Sequence, residues 1–141
     1  MGGLSSDDGG LDSGTEGIVK AEMTTAEYNA ALLKEWSEQE LQEHVISLAK
    51  SLGWAVAWFR NVKIQRANGT TFYQLPVAAD GKGWPDLILC RGTELLFVEL
   101  KRENGRLEPA QEDWRDRLLA AKARWYCWKP RDLTAIEAVL K

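Results

Sequence analysis

The stretch that decides the fold runs from Gly83 to Lys101 and reads GWPDLILCRGTELLFVELK. Its segment Asp86–Cys90 is short, apolar and bounded by turn residues, as is typical of a buried strand. Arg91-Gly92-Thr93 predicts a tight turn into a second strand, Leu95–Lys101. The stretch therefore predicts a β-hairpin inside the core of the protein.

The second strand of this hairpin has one apolar face and one partly charged face, because side chains alternate along a strand. The apolar face holds Leu96, Val98 and Leu100, and the other face holds Phe97, Glu99 and Lys101. Ionised groups on a buried strand are costly unless they are paired, bound to a metal or in contact with water. A structural ion pair and an active site would both meet that condition.

Asp86 opens the partner strand, at the end closest to Glu99 and Lys101. Two neighbouring carboxylates repel each other unless a divalent cation holds them together. Carboxylate oxygens are hard ligands, which suit Mg²⁺ or Mn²⁺. A lysine beside them could orient or deprotonate a water molecule, or stabilise the charge that develops on a phosphate group. These residue types together indicate phosphodiester hydrolysis.

The flanking sequence predicts helices and further strands around the hairpin. Ser37 and Glu40 have the spacing of a capping box at a helix start, and Pro109 suits the first turn of another helix. The predicted helices cover residues 26–34, 37–53, about 109–123 and 133–141, and the other predicted strands cover 54–60, 72–79 and 124–129. The predicted order is α-β-β-β-α-β-α, which favours an α/β or α+β domain with a mixed central sheet flanked by helices.

Composition separates a tail from a domain. Residues 1–22 are rich in Gly, Ser and Asp, and such a segment buries too little apolar surface to offset its ordering entropy. We expect 1–22 to be a disordered acidic tail and 23–141 to be a single domain. Residues 1–52 carry a net charge of −7 and residues 53–141 a net charge of +4. Since phosphate binding depends on local charge, the part that holds the hairpin suits a nucleic acid.

The sequence also argues against other classes of protein. Cys90 and Cys127 lie in apolar segments without a CxxC spacing, so we expect small buried side chains. Because His44 is the only histidine, a zinc site has too few soft ligands. No apolar run approaches the ~18 residues of a membrane span, and the N-terminus lacks the regions of a signal peptide. We expect no membrane partner and a cytoplasmic location.

Four sequence elements resemble a known nuclease family. Gly83–Asp86 followed by Val98–Lys101 resembles the PD-(D/E)XK nuclease motif. From about Ser37 to Val139 the chain resembles the virus-type replication-repair nuclease (VRR-NUC) family of phages, bacteria and eukaryotic repair enzymes. The shared elements are the SExxLQ-like helix start at Ser37, the G-x-PD run, the ELK strand, and a later glutamine, Gln111, followed by a tryptophan.

The resemblance implies a restriction-endonuclease-like core and a DNA endonuclease dependent on Mg²⁺ or Mn²⁺. Asp86 and Glu99 would be metal ligands with the Leu100 carbonyl as a third, and Lys101 would position or activate the attacking water. Stand-alone members are dimers that cut branched DNA such as four-way junctions, so we expect DNA and a second copy as partners. The expected setting is phage or bacterial replication or repair, in the host cytoplasm if the chain is phage-encoded.

Two further residues join the candidate site through this resemblance. Glu38 lies on the same helical stripe as Leu41 and Val45, and in the family a glutamate at this helix start joins the metal site. Alternatively, its charge only stabilises the helix N-terminus. Gln111 lies in the first turn after Pro109, where the family has a glutamine near the catalytic lysine. Alternatively, it is a polar cap residue, in a helix preceded by glutamate rather than by serine or threonine.

Basic and aromatic side chains supply candidates for DNA contact. The candidates for phosphate binding are Lys63, Arg66, Lys82, Arg102, Arg106 and Arg115, although each one alone is more often an ordinary solvated side chain. Trp58 and Trp84 could stack on bases, but tryptophan more often belongs to the core. Two other functions stay open: a nuclease fold that binds DNA without cutting it, and a structural domain in which Asp86, Glu99 and Lys101 form a buried ion network.

Overall fold

A computed structural model describes Gly2 and residues 22–59, 62–74 and 77–141 of the chain. The predicted acidic tail, residues 1–22, lies outside the described residues except for Gly2 and Glu22. None of the helices among the described residues is long and apolar enough to cross a membrane.

The described residues form four α-helices and six strands. The helices are α1 (Thr25–Lys34), α2 (Glu38–Ser51), α3 (Pro109–Ala120) and α4 (Leu133–Leu140), with a short 3₁₀ turn at Pro130–Asp132. The strands are β1 (Ala55–Trp58), β2 (Val62–Gln65), β3 (Thr71–Gln74), β4 (Leu87–Arg91), β5 (Glu94–Leu100) and β6 (Arg124–Trp128). Thr24 caps α1, and the predicted capping box of Ser37 and Glu40 begins α2.

Four strands make the central sheet, in the order β1-β4-β5-β6. The β4–β5 hairpin is antiparallel, with Leu87 opposite Val98 and Arg91 opposite Glu94 around the Gly92-Thr93 turn. Strand β1 pairs antiparallel with β4, and α3 crosses over to β6, which pairs parallel with β5. The sheet is therefore mixed. Around it the elements follow the order α2-β1-β4-β5-α3-β6-α4, which confirms the predicted fold class.

Strands β2 and β3 form a separate two-stranded sheet between β1 and β4 in the chain. The Asn68-Gly69 turn joins them, with Gly69 at a φ of 85°. The prediction of one strand over 72–79 was wrong in its bounds, because β3 ends at Gln74 and residues 77–79 are not a strand. Strand β2 was not predicted, because its four residues are too few for alternation to stand out.

The core lies between α2, α4 and one face of the central sheet. The α2 residues Leu41, Val45 and Ala49 are fully buried, and α4 contributes Ile136 and Leu140. They pack with Leu87, Leu89, Leu96, Val98 and Leu100, which are at most 1% exposed. The predicted apolar face of β5 is thus in the core. Burial of several leucines at roughly 1.5–3 kcal/mol each makes this face the main source of stability.

Two details of the sequence prediction need correction. Cys90 is exposed and Cys127 half-buried, because Cys90 lies near the turn end of β4, pairing with Leu95, which is also exposed. Asp132 precedes α4 as predicted, but its Oδ2 accepts a hydrogen bond from Lys129 N (2.9 Å) and caps the 3₁₀ turn instead.

The turn before β4 is fixed against the start of α3. Gly83 has a φ of 83°, and a Cβ at this position would overlap the carbonyl group of Ala110 and come within 2.7 Å of Gln111 N. The ring of Trp84 packs edge-on against that of Trp114, with centroids 4.7 Å apart. Trp114 Nε1 in turn donates a hydrogen bond to Asp80 O (2.9 Å). These contacts fix the position of α3 relative to the turn that leads to Asp86.

Gly83→Ala should therefore destabilise the protein more than Gly69→Ala does. Both glycines have a positive φ, which costs other residues roughly 1–2 kcal/mol, but a Cβ at Gly69 would meet open space. The overlap with Ala110 should add about 1–3 kcal/mol for Gly83→Ala alone. Urea denaturation of both variants measures the difference. Equal losses would show that the turn does not press on α3.

Candidate active site

Asp86 precedes β4 and is held by the main chain of β5. Its Oδ2 accepts a hydrogen bond from Leu100 N at 2.8 Å, where β5 extends past Leu87, the first residue of β4. Burial raises the pKa of Asp86, although the Leu100 N–H, the Glu99 side chain and the charge of Lys101 act in the opposite direction. The carboxylate is therefore fixed in place on one side of β5.

Glu99 is only 2% exposed and lies beside Asp86. Burial raises the pKa of Glu99 to about 9, and the Asp86 carboxylate beside it adds to the rise. Lys101 lowers this pKa only in part, and the charge of Glu38 raises it further. The two carboxyl groups thus share a site in which both cannot easily ionise without a compensating cation.

Lys101 follows β5 and is 8% exposed. Its main-chain N–H donates to Trp128 O at 3.0 Å, which extends the pairing of β5 with β6 by one residue. Within the described parts of the chain, no carboxylate lies within 4.0 Å of its ammonium group. The ammonium acts on both acidic groups through space without a direct ion pair, which disfavours a closed structural ion network.

Gln111 joins the site from the first turn of α3. Its Oε1 accepts a hydrogen bond from Glu108 N at 2.8 Å, and its Nε2 donates to Glu99 Oε1 at 2.8 Å. Because the hydrogen bond from Glu108 N identifies Oε1 as the acceptor, the atom that contacts Glu99 is Nε2, a donor. Gln111 is therefore both the predicted cap and a contact of the site, although it touches Glu99 rather than Lys101.

Glu38, the first residue of α2, is exposed, whereas Leu41 and Val45 behind it are buried. The expectation that it lies on the core-facing stripe was wrong in degree, because the buried stripe of α2 begins one turn later, at Leu41. Its side chain still lines a cleft with Asp86 and Leu100, and its charge acts on Glu99. Glu40 instead caps the helix, with Oε2 accepting from Ser37 N at 2.7 Å.

Two clefts meet at Glu38 and Gln39. The first, here the aromatic cleft, has a volume of about 760 Å³ and is lined by Trp58, Phe59 and Tyr73 together with Asp86 and the first turns of α2. The second, here the cationic cleft, has a volume of about 820 Å³ and holds Lys34, Lys101, Arg102 and Arg106. Sequence reasoning missed Lys34, Phe59 and Tyr73, because nothing in their local sequence links them to Asp86.

The other candidate DNA contacts are spread over the surface. Lys63 and Arg66 lie on the β2–β3 hairpin, and the guanidinium of Arg66 stacks over the Phe72 ring at 4.6 Å. Lys82 is exposed in the turn before Gly83.

Arg115 contacts Asp116, with Nε to Oδ1 at 2.9 Å, so its charge is already partnered. Trp84 is half-buried and packed between Phe97 and Trp114, whereas Trp58 is 42% exposed.

The oxygen donors fit a hard cation that keeps part of its water shell. Asp86 and Glu99 supply carboxylate oxygens. The Leu100 carbonyl points to the same side of β5 as the N–H that contacts Asp86. Among the described residues, no group of three or more His, Cys, Asp or Glu side chains is spaced to hold a metal ion. Mg²⁺ is commonly bound through one or two carboxylates and several waters, whereas zinc requires more protein ligands.

Comparison with known proteins agrees with this arrangement of residues. A mixed sheet with paired carboxylates and a lysine at the end of one hairpin defines the PD-(D/E)XK class of nucleases. The family model of the VRR-NUC domain matches residues 23–127, which is most of the chain. The protein therefore belongs to the VRR-NUC family. Searches among curated proteins and among solved structures gave no match.

The raised pKa of Glu99 predicts how stability varies with pH when EDTA removes divalent ions. The folded protein keeps this proton up to a pKa of about 9, whereas the unfolded chain releases it near 4.5. Because the folded state binds more protons between these values, the free energy of unfolding should fall as pH rises from about 5 to about 9.

Glu99→Gln cannot ionise, so its stability should fall less over the same pH range. The difference between the two profiles should exceed about 1.4 kcal/mol, the equivalent of one pKa unit. Urea denaturation of both proteins at the two ends of the range measures it. Parallel profiles would show that Glu99 does not carry the proton.

Proposed function

We propose that this protein is a DNA endonuclease that hydrolyses phosphodiester bonds with Mg²⁺ or Mn²⁺. One observation carries the proposal: Asp86 and Glu99 are pressed together beside Leu100, with Lys101 adjacent and free of an ion pair among the described residues. Asp86, Glu99 and the Leu100 carbonyl would hold the metal, which supplies a water of lowered pKa and polarises the phosphate.

The residues of the chain have separate tasks in this proposal. Leu100 N–H fixes one oxygen of Asp86, and Gln111 fixes one oxygen of Glu99. The ammonium of Lys101 orients the attacking water or stabilises the charge that develops on the phosphate. Glu38, on the rim of both clefts, would be an outer ligand of the metal.

The proposed substrate is branched DNA, such as a flap or a four-way junction, in phage or bacterial replication or repair. The support is the family resemblance together with the two clefts, which give a DNA strand a way into and out of the site. A homodimer would suit a symmetrical junction, because a two-fold axis relates two equivalent sites. Binding without cleavage is the rival function, and the intact acidic pair with Lys101 argues against it.

Substitution of the central residues tests the proposed chemistry. Asp86→Asn, Glu99→Gln and Lys101→Met should each lower cleavage of labelled junction DNA by about 10²–10⁴-fold, as expected when a group that activates or holds the attacking water is lost. Excess EDTA should abolish cleavage by the unmodified protein. The matched control is Arg117→Met, an exposed residue of α3 that lines neither cleft, which should leave cleavage unchanged. If a folded Glu99→Gln protein cleaved the DNA at the rate of the unmodified protein, the assignment of these residues as the active site would be wrong.

The role of Glu38 has its own control in the same helical turn. Glu38→Gln should reduce cleavage and raise the metal concentration needed for half-maximal activity, because it removes a charge next to Glu99. Glu40→Gln keeps an oxygen that can accept from Ser37 N, so its metal dependence should be unchanged. If both variants titrate like the unmodified protein, Glu38 only stabilises the helix N-terminus, worth ~0.3–1 kcal/mol.

A further inference from the structure

The aromatic cleft presents exposed rings next to the acidic pair. Trp58 is 42%, Phe59 43% and Tyr73 69% exposed, although large apolar side chains are normally buried. Phe59 N donates to Asp86 O at 3.3 Å, which anchors this end of β1 beside the candidate catalytic carboxylate. A group bound on these rings would therefore share a cleft with Asp86.

The hairpin β2–β3 adds a positive charge beside its exposed ring. Lys63 is directly opposite Tyr73 in the register of the hairpin, and both side chains are exposed. Residues directly opposite in an antiparallel pair have Cβ atoms about 4.5–5.5 Å apart. An aromatic ring next to a cation matches a nucleotide, since the base stacks on the ring and the phosphate contacts the ammonium.

The polar lining of the aromatic cleft also favours a nucleobase over an apolar partner. Gln39 and Gln42 line it beside the rings, and their amides can both donate and accept hydrogen bonds from the edge of a base. Glu38 and Glu43 lie in the same wall. Gln39 Nε2 donates to Glu43 Oε1 at 3.2 Å. An apolar protein surface would leave the remaining polar atoms of this wall without partners, which is costly.

The cationic cleft on the other side of Glu38 has a different character. Its four cations outnumber its three acidic residues, one of which, Glu103, is ion-paired with Arg131 (3.5 Å). The cations are Lys34, Lys101, Arg102 and Arg106, and the acidic residues are Glu35, Glu38 and Glu103. Trp36 in its wall packs edge-on against His44, with ring centroids 5.4 Å apart. This cleft suits the phosphate backbone of DNA rather than its bases.

We propose that the aromatic cleft binds unpaired bases of the substrate strand, by stacking on Trp58 and Tyr73, while the cationic cleft holds the backbone on the other side of the cut. The protein would thus select DNA in which paired and unpaired segments meet at the scissile phosphate. This inference rests on the proposed nuclease function and names the feature of branched DNA that the site recognises.

Binding of two DNAs of equal length tests the inference: one carries an unpaired single-stranded arm and the other is fully paired. Fluorescence anisotropy with EDTA present measures affinity without cleavage. Tyr73→Ala and Trp58→Ala should each weaken binding of the DNA with the arm by about tenfold, within the range known for loss of one stacked base. Binding of the fully paired DNA should change less than twofold.

Matched variants separate stacking from general damage. Tyr73→Phe keeps the ring and should bind as the unmodified protein does. Tyr28→Ala removes a ring on α1 whose exposure, 55%, lies between those of Trp58 and Tyr73. Tyr28 lines neither cleft, so both affinities should be unchanged. The inference would be overturned if Tyr73→Ala and Trp58→Ala weakened binding of both DNAs equally. It would also be overturned if they weakened binding no more than Tyr28→Ala does. Sedimentation showing a dimer that Tyr73→Ala converts to monomers would overturn it as well, since a second copy would then cover the rings.

Cleavage by the unmodified protein keeps the two proposals apart. If it cuts DNA with Mg²⁺ but Trp58→Ala and Tyr73→Ala keep its preference for an unpaired arm, the stacking inference fails and the nuclease stands. If it cuts none of the DNAs with Mg²⁺ or Mn²⁺, the proposed nuclease function fails. The anisotropy comparison then still decides whether these rings bind unpaired bases.

Discussion

The hydrogen bond from Leu100 N to Asp86 Oδ2 is the contact on which the candidate site depends. The main-chain pairing of β4 with β5 stops at Leu87 and Val98. Beyond it, the Asp86 carboxylate accepts the Leu100 N–H in place of a main-chain carbonyl. The pairing of Leu87 with Val98 puts Asp86 alongside Glu99. Two acidic groups are thus brought together by the geometry of a hairpin, against their own repulsion, and the leucine face of β4 and β5 supplies the stability that makes this possible.

The rest of the fold limits how far these groups can relax. The close approach of Gly83 to Ala110 and the contact of Trp84 with Trp114 fix the start of α3 against the turn that leads to Asp86. That position lets Gln111 reach Glu99. On the other side, α2 packs on the core through Leu41, Val45 and Ala49, and its exposed first residue, Glu38, lies at the rim of the site. A buried pair of carboxyl groups held from two sides is prearranged for a cation, which limits the reorganisation that binding requires.

The sequence alone was sufficient for the central hairpin and for most of what surrounds it. Alternation in LLFVELK separated the core face from the functional face, and the capping box located the start of α2. Contacts between distant residues were out of reach. Arg91, for example, donates to Leu52 O and to Leu140 O (3.0 and 2.9 Å), joining the ends of α2 and α4. Likewise, no local pattern could bring Tyr73 to a cleft beside Asp86, because that depends on where the short hairpin folds.

Binding of Mn²⁺ followed by electron paramagnetic resonance tests the central claim most directly, since the signal of free Mn²⁺ is lost when the ion binds and no DNA is required. We expect the unmodified protein to bind one Mn²⁺ ion that Mg²⁺ displaces. Asp86→Asn and Glu99→Gln should each weaken this binding at least about tenfold, whereas Glu40→Gln should leave it unchanged. Equal affinity of Asp86→Asn and the unmodified protein would contradict a metal site at the end of the β4–β5 hairpin.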